Sequence, residues 1–309
     1  MPLFRRQFLT SSAALIAASA LPLSARRLWA LSTFSAGDLR VDSLSDGHIE
    51  FPPEFAFANI PESERPDLLR SLGIDPQATV HSPLNITLLR QGDRTVLFDV
   101  GAGPDFVPTA GRLLEGLDAL GVAAEDVTDV IFSHGHPDHL WGVLDEFDEP
   151  LFANAAMQMG RIEYDYWRDP QTAQSIGESR QSFAAGAARR LEVIGDAMTR
   201  FEDGDEVLPG VRAVMTPGHT PGHMSFQIGT PEQGLFVTGD FITMPASFLR
   251  PDLGSAVDHD PARAAETRRS TLDRLADEGW TILGYHLPDG GIGRVRRQGD
   301  AFTLETEPA

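Results

Sequence analysis

Ser133-His134-Gly135-His136-Pro137-Asp138-His139 places four side chains able to hold a metal ion within six residues, directly after the apolar stretch Asp129–Phe132. A strand end fixes the direction of the backbone, while the loop that follows can curl around an ion. His134 and His136, two apart, point to the same side of an extended segment. Asp138 and His139 are adjacent and must diverge, so this one loop can serve two ions. Only 9 His occur in the chain. Three of them in this pattern are hard to account for as a polar surface loop, and the spacing points to metal binding.

Three further ligands follow, each after its own predicted strand. His219 stands in Thr216-Pro217-Gly218-His219-Thr220-Pro221-Gly222-His223 after Val211–Met215, Asp240 in Gly239-Asp240 after 235–238, and His286 shortly after 280–283. A lone His is more often structural than a ligand, so none of these carries weight alone. Together they complete a nitrogen and oxygen set for two ions: His134, His136, Asp138, His139, His219, Asp240 and His286. Such a set, free of thiolate, suits two divalent ions, Zn(2+) ahead of manganese, iron or cobalt. His223 reads as a structural hydrogen bonder, because the other ligands already fill both positions. His48, His81 and His259 read as surface or turn residues.

Around these motifs short strands alternate with helices. Residues 39–45 and 48–51 flank Asp46-Gly47, and 85–90 and 95–100 flank Gly92-Asp93; both read as hairpins. Pro108 is placed to open a helix with Leu113, Leu114, Leu117 and Leu120 on one face and Gly121 at its end. Residues 153–200 read as helical. Asp260-Pro261 caps a long helix that Gly279 terminates. The alternation in both halves predicts a layered α/β protein, a single domain over 36–309 made of two similar halves.

Composition removes several classes of function. The 309 residues are 41% hydrophobic and 23% charged, ordinary for a globular protein. The net charge of −20 repels phosphate backbones, so no nucleic-acid partner is expected, and a small, neutral, apolar substrate is favoured over an anion. All 25 basic residues are Arg, which excludes a lysine Schiff base, and the absence of Cys excludes disulfides and thiol nucleophiles. Residues 1–25, with Arg5-Arg6, an apolar run over 13–23 and small residues at Ala18-Ser19-Ala20 and Ser24-Ala25, read as a twin-arginine export signal. They imply the twin-arginine export machinery as a partner and a bacterial periplasmic location. A homodimer is compatible with these features.

On these residues the chain resembles the metallo-β-lactamase superfamily, over nearly all of the sequence beyond the signal. Asp99-Val100-Gly101-Ala102-Gly103, Pro108-Thr109-Ala110-Gly111, residues 134–139 and 218–223, and His286 with Gly291-Ile292-Gly293 resemble in particular methyl parathion hydrolase and related exported lactonases. The resemblance implies an αββα four-layer sandwich (the metallo-β-lactamase fold) with metals at one edge between two sheets. It implies His134, His136 and His219 on one ion, Asp138, His139 and His286 on the other, and Asp240 bridging them. It also implies that Asp99 orients a ligand His, the alternative being a turn-forming Asp. The activity implied is hydrolysis of a lactone, aryl ester or organophosphate triester by a hydroxide shared between two ions, with Asp240 and Asp138 the catalytic carboxylates; Asp240 would hold the ions together and not act as base. The alternatives are a mononuclear iron dioxygenase for sulfur compounds and a non-catalytic metal-binding protein.

Leu140-Trp141-Gly142 departs from the resemblance, which has small residues there. Trp141 belongs either in the core beneath the ligand loop, the favoured place, or over the mouth of the metal site. Tyr164, Tyr166 and Trp167 are either core packing or pocket lining. Phe106, Phe241 and Phe248 are further pocket candidates.

Overall fold

In the computed structural model, which describes residues 30–71 and 73–306, each half of the chain builds one seven-stranded sheet. The export signal over 1–25 lies outside the described residues. The first sheet holds β1 (Ala30–Ala36), β2 (Leu39–Phe51), β3 (Val80–Gln91), β4 (Arg94–Phe98), β5 (Asp129–Phe132), β6 (Ala156–Gly160) and β7 (Thr199–Phe201). The second holds β8 (Glu206–Leu208), β9 (Val211–Met215), β10 (Met224–Ile228), β11 (Leu235–Val237), β12 (Thr281–Leu283), β13 (Ile292–Gln298) and β14 (Ala301–Glu305). Within each sheet the strands lie in chain order. Strands β4 to β7 pair in parallel, as do β11 and β12, and the other neighbours are antiparallel.

Side-chain alternation along the strands sets the layers. Val96, Phe98 and Ile131 face Phe226 and Val237 across the space between the sheets, and the Phe98 and Phe226 rings lie 5.0 Å apart. Their neighbours Leu97, Val130 and Phe132 face outward beneath Leu113, Leu117 and Leu191 of the helices Leu113–Ala119 and Gln181–Ile194. On the second sheet Phe236 and Ile282 face outward to Leu272 and Leu275 of the helix Pro261–Glu278. Burying a side chain of this size contributes about 1.5–3 kcal/mol. The result is the expected helix–sheet–sheet–helix order, and it is one domain. Among the described residues no helix is long and apolar enough to cross a membrane.

Three local expectations are corrected. Asp46-Gly47 does not turn the chain: β2 runs straight through it with a register shift between Ser45 and His48, and the two-residue turn falls at Gly37-Asp38. Asp46 is buried, and its carboxylate accepts the N–H groups of Ala102 (2.8 Å), Gly111 (3.2 Å) and Leu113 (2.8 Å). That anchor holds 102–112 as a loop, so the helix begins at Leu113 and not at Pro108. Residues 153–200 include a buried strand, β6, because pairing beside β5 outweighs the helical preference of Met157 and Met159. The Gly92-Asp93 hairpin forms as expected, and Asp260 caps its helix by accepting the Arg263 N–H at 3.0 Å.

One buried side chain joins the two halves. Glu163, on the helix Arg161–Arg168, accepts the Gly135 N–H (3.0 Å) and the Trp167 indole N–H (2.5 Å) on Oε1, and the Thr220 hydroxyl (2.7 Å) and the Gly222 N–H (3.0 Å) on Oε2. Gly135 belongs to the loop after β5 and Gly222 to the loop after β9. Burial pushes the Glu163 carboxyl up, and the four donors oppose that shift. Trp141 lies under the Gln181–Ile194 helix, with the Arg190 guanidinium 4.3 Å from its ring centre and Phe106 edge-on at 5.7 Å. A Cβ on Gly186 would come within 2.2 Å of the indole, so the helix seats directly on it.

Two outcomes follow. Glu163→Gln turns an amide NH2 against two of the four donors and is expected to lower stability by about 2–4 kcal/mol, read by denaturant unfolding. Trp141→Gly is expected to lower stability by about 3–5 kcal/mol and to reduce turnover of bulky and slim substrates by the same factor. A rate change confined to bulky substrates at unchanged melting temperature would place Trp141 in the pocket instead.

Candidate metal centre

All seven sequence-predicted ligands meet at one edge of the sandwich, carried by the ends of β5, β9, β11 and β12. They fall into two groups whose ligand atoms lie within 4.8 Å of one another: His134, His136 and His219, and Asp138, His139, Asp240 and His286. In the first, His136 Nδ1 is 3.0 Å from His134 Nε2 and 2.9 Å from His219 Nε2. In the second, His139 Nε2 is 3.6 Å from Asp138 Oδ2 and 3.3 Å from Asp240 Oδ1, and His286 Nε2 is 3.4 Å from Asp138 Oδ2. Asp240 Oδ2 stands between them, 3.0 Å from His286 Nε2 and 3.3 Å from His219 Nε2.

The surrounding hydrogen bonds decide which nitrogen each imidazole presents. Asp99, at the end of β4, accepts the Ser133 N–H (2.7 Å), the Ser133 hydroxyl (2.6 Å) and His139 Nδ1–H (2.8 Å). Ser133 Oγ, its proton committed to Asp99, accepts His134 Nδ1–H at 3.0 Å. His219 Nδ1–H goes to Asp258 Oδ1 (3.1 Å) and His286 Nδ1–H to the Pro83 carbonyl (2.9 Å). Four rings therefore turn Nε2 inward, and His136 alone offers Nδ1. The orienting role expected of Asp99 is what the geometry shows.

The electrostatics fit a cation pair. Burial and the neighbouring imidazoles push His134 well below its ordinary value, and burial and His219 do the same to His136, leaving the neutral rings that metal binding needs. Burial works against a charged Asp240, but His286 and His139 hold it well below the usual carboxylate range. Burial likewise opposes charge on His286, yet Asp240 and Asp138 push it up to about 10, so a proton occupies the place a cation would take. His139 Nε2 and Asp240 Oδ1 are buried without a hydrogen-bond partner, and they face each other. Neutral His134 and His136, an ionised Asp240 and orphaned inward-facing atoms on His139 and Asp240 fit the donor set of divalent ions, which would displace the proton held at His286.

His223 is structural, as expected: its Nε2 accepts the Asp240 N–H at 2.8 Å and its Nδ1 faces Thr216. His259 sits in a bend, as expected, but it is half-buried and not a free surface residue. It lies against the site, Nε2 3.1 Å from His136 Nε2 and Nδ1 3.3 Å from the Tyr166 hydroxyl. Sequence reasoning also missed Glu163, Asp258 and Tyr285. Asp258 is held in turn by Arg268 at 3.3 Å, and Tyr285 stacks on His139 at 3.8 Å. The position of Asp258-His259 just before a helix cap was the one available signal.

Beside the ligands opens a cavity of about 290 Å³. His136, Asp138, His219, Asp240 and His286 form its floor, and Ile49, Phe51, Phe55, Phe106, Phe183, Met244 and Val257 form apolar walls. Ser82, Arg180 and Thr243 add polar points. Of the aromatic candidates only Phe106 lines it. Tyr164 and Trp167 are core residues, Trp167 being spent on Glu163; Tyr166 packs on His259; and Phe241 and Phe248 belong to the core under the second sheet.

A family model described as the metallo-beta-lactamase superfamily matches residues 81–286. Metallo-beta-lactamase domain-containing protein 1 of Xenopus laevis is 32% identical over 224 residues, covering 72% of this chain and 77% of the relative. An N-acyl homoserine lactonase of Bacillus cereus is 29% identical over 140 residues, 45% of this chain and 46% of the relative, so the match spans about half of that lactonase. The solved structure of AidC, a dizinc quorum-quenching lactonase in complex with a product, superposes with a TM-score of 0.83 at 25% identity, over 90% of this chain and 97% of that one. With two sheets in the same layered order and seven potential metal ligands at their shared edge, the chain belongs to the metallo-beta-lactamase superfamily.

Proposed function

We propose that the chain is a dinuclear metal-dependent hydrolase that opens lactones carrying an apolar acyl chain, the N-acyl homoserine lactones being the model substrate class. The observation that carries this reading is Asp240, whose two oxygens reach both ligand groups on the floor of an apolar cavity. His134, His136 and His219 would hold one ion, Asp138, His139 and His286 the other, with Asp240 shared. When bound, such a pair polarises a carbonyl oxygen and activates water as the nucleophile. The complete second group argues against the mononuclear iron alternative, which leaves that position unfilled.

The chain's own residues do the rest. Ile49, Phe51, Phe106 and Phe183 exclude water and take the acyl chain, while Ser82, Arg180 and Thr243 can engage amide and carbonyl groups. Asp99 and Asp258 keep His139 and His219 pointed inward through turnover. The similarity to N-acyl homoserine lactonases supports the lactone over the aryl ester and phosphotriester that the likeness to methyl parathion hydrolase also suggested. Export to the periplasm belongs to this reading on the strength of Arg5-Arg6 and the apolar run after it.

Two measurements test it. Purified enzyme is expected to hold two divalent ions per chain, and Asp240→Asn and His139→Ala each to lose one ion and about 10²-fold or more in kcat/KM, a far larger effect than on stability. Two ions and wild-type turnover in either variant would refute the assignment. In a homologous series of acyl-homoserine lactones, each added methylene should raise kcat/KM by up to about fourfold, from about 0.8 kcal/mol per buried CH2. Phe106→Ala together with Phe183→Ala should flatten that dependence. Faster turnover of an aryl ester or diethyl phosphotriester than of every lactone would reassign the substrate.

A further inference from the structure

A third group of ligating side chains lies outside the seven. His48, Glu50 and His81 present ligand atoms that all fall within 4.8 Å of one another. His48 Nε2 is 3.4 Å and His81 Nδ1 3.7 Å from the same carboxylate oxygen, Glu50 Oε1, and the two rings are 4.9 Å apart. Tetrahedral zinc with bonds of about 2.0–2.2 Å sets its ligand atoms roughly 3.3–3.6 Å apart, so the two histidine–carboxylate separations need little adjustment, and a small rotation of the exposed rings brings the two imidazoles to the same spacing.

The sheet fixes the arrangement. His48 and Glu50 are two residues apart on β2 and share a face, and Glu50 is paired directly with His81 on β3. The side chains are 36%, 49% and 58% exposed, which leaves an entry path and room for water at the remaining coordination position. The net charge of −20 favours a cation at the surface. His81 also lines the cavity, next to Ser82, whose hydroxyl is 3.0 Å from His286 Nδ1.

We infer that His48, Glu50 and His81 form a separate, exchangeable site for zinc or a similar divalent ion on the rim of the substrate cavity, distinct from the buried pair. Two imidazoles and one carboxylate match the ligand preference of such ions, and a neighbouring dication adds positive charge at the cavity mouth.

The test is equilibrium dialysis of the enzyme, isolated with its tightly held ions, against rising zinc, with bound metal counted by mass spectrometry. Wild type is expected to bind one exchangeable equivalent more than His48→Ala and His81→Ala, and Glu50→Gln to weaken that equivalent at least tenfold. Melting temperatures without added zinc check that the variants fold, and Glu50→Gln, which keeps the shape of the side chain, serves if an alanine variant does not. Because the count is a difference, it holds whatever the buried groups contain and does not rest on the dinuclear reading. Equal zinc uptake by wild type and the folded variants would overturn the inference.

Discussion

Asp240 is 2% exposed, and its carboxylate is placed against His139 and His286 on one side and His219 on the other. A buried carboxylate is costly unless compensated, and here the compensation is a ring of imidazoles whose orientation is fixed from behind. The Asp240 N–H is held by His223, itself tied to Thr216. A Cβ at Gly239 would collide with that same ring at 2.5 Å, which is why the residue before the shared ligand is glycine, at φ 54°. The position of this one side chain therefore depends on contacts from both halves of the chain.

The cost of assembling ligands from two sheets is met by a few buried anions that accept backbone donors. Asp46 gathers 102–113 against the first sheet, Asp99 ties the end of β4 to the ligand loop, and Glu163 fastens that loop to the one after β9. Each shapes a loop that would otherwise be free, and together they keep the ligand geometry in place independently of what the ligands hold. Rigid support of this kind is what sets catalytic geometry within a fraction of an ångström. The apolar walls complete the site by lining the cavity above these side chains with Ile49, Phe51, Phe106 and Phe183.

The layered fold and the seven side chains that meet at the site were legible in the sequence because both are local signals. Apolar runs ending in His or Asp mark strand ends, and His134 to His139 carries four ligands in one loop. What stayed hidden depends on contacts distant in sequence. Asp46-Gly47 has hairpin chemistry, yet Asp46 answers to donors at 102, 111 and 113. Ala156–Gly160 has helical composition, yet β5 recruits it as a strand. Glu163 and His259 look like surface residues until the fold sets them against the loops and His136. The aromatic residues near the ligands in sequence are mostly core, and the walls of the cavity come instead from β2 and from the segments around Phe106 and Phe183.

The most direct measurement is anomalous diffraction at the zinc edge from crystals grown with zinc. The account predicts two strong peaks on the cavity floor, one among His134, His136 and His219 and one among Asp138, His139 and His286, with the Asp240 carboxylate between them. A single peak confined to the three-histidine group, with Asp240 turned away from it, would contradict it.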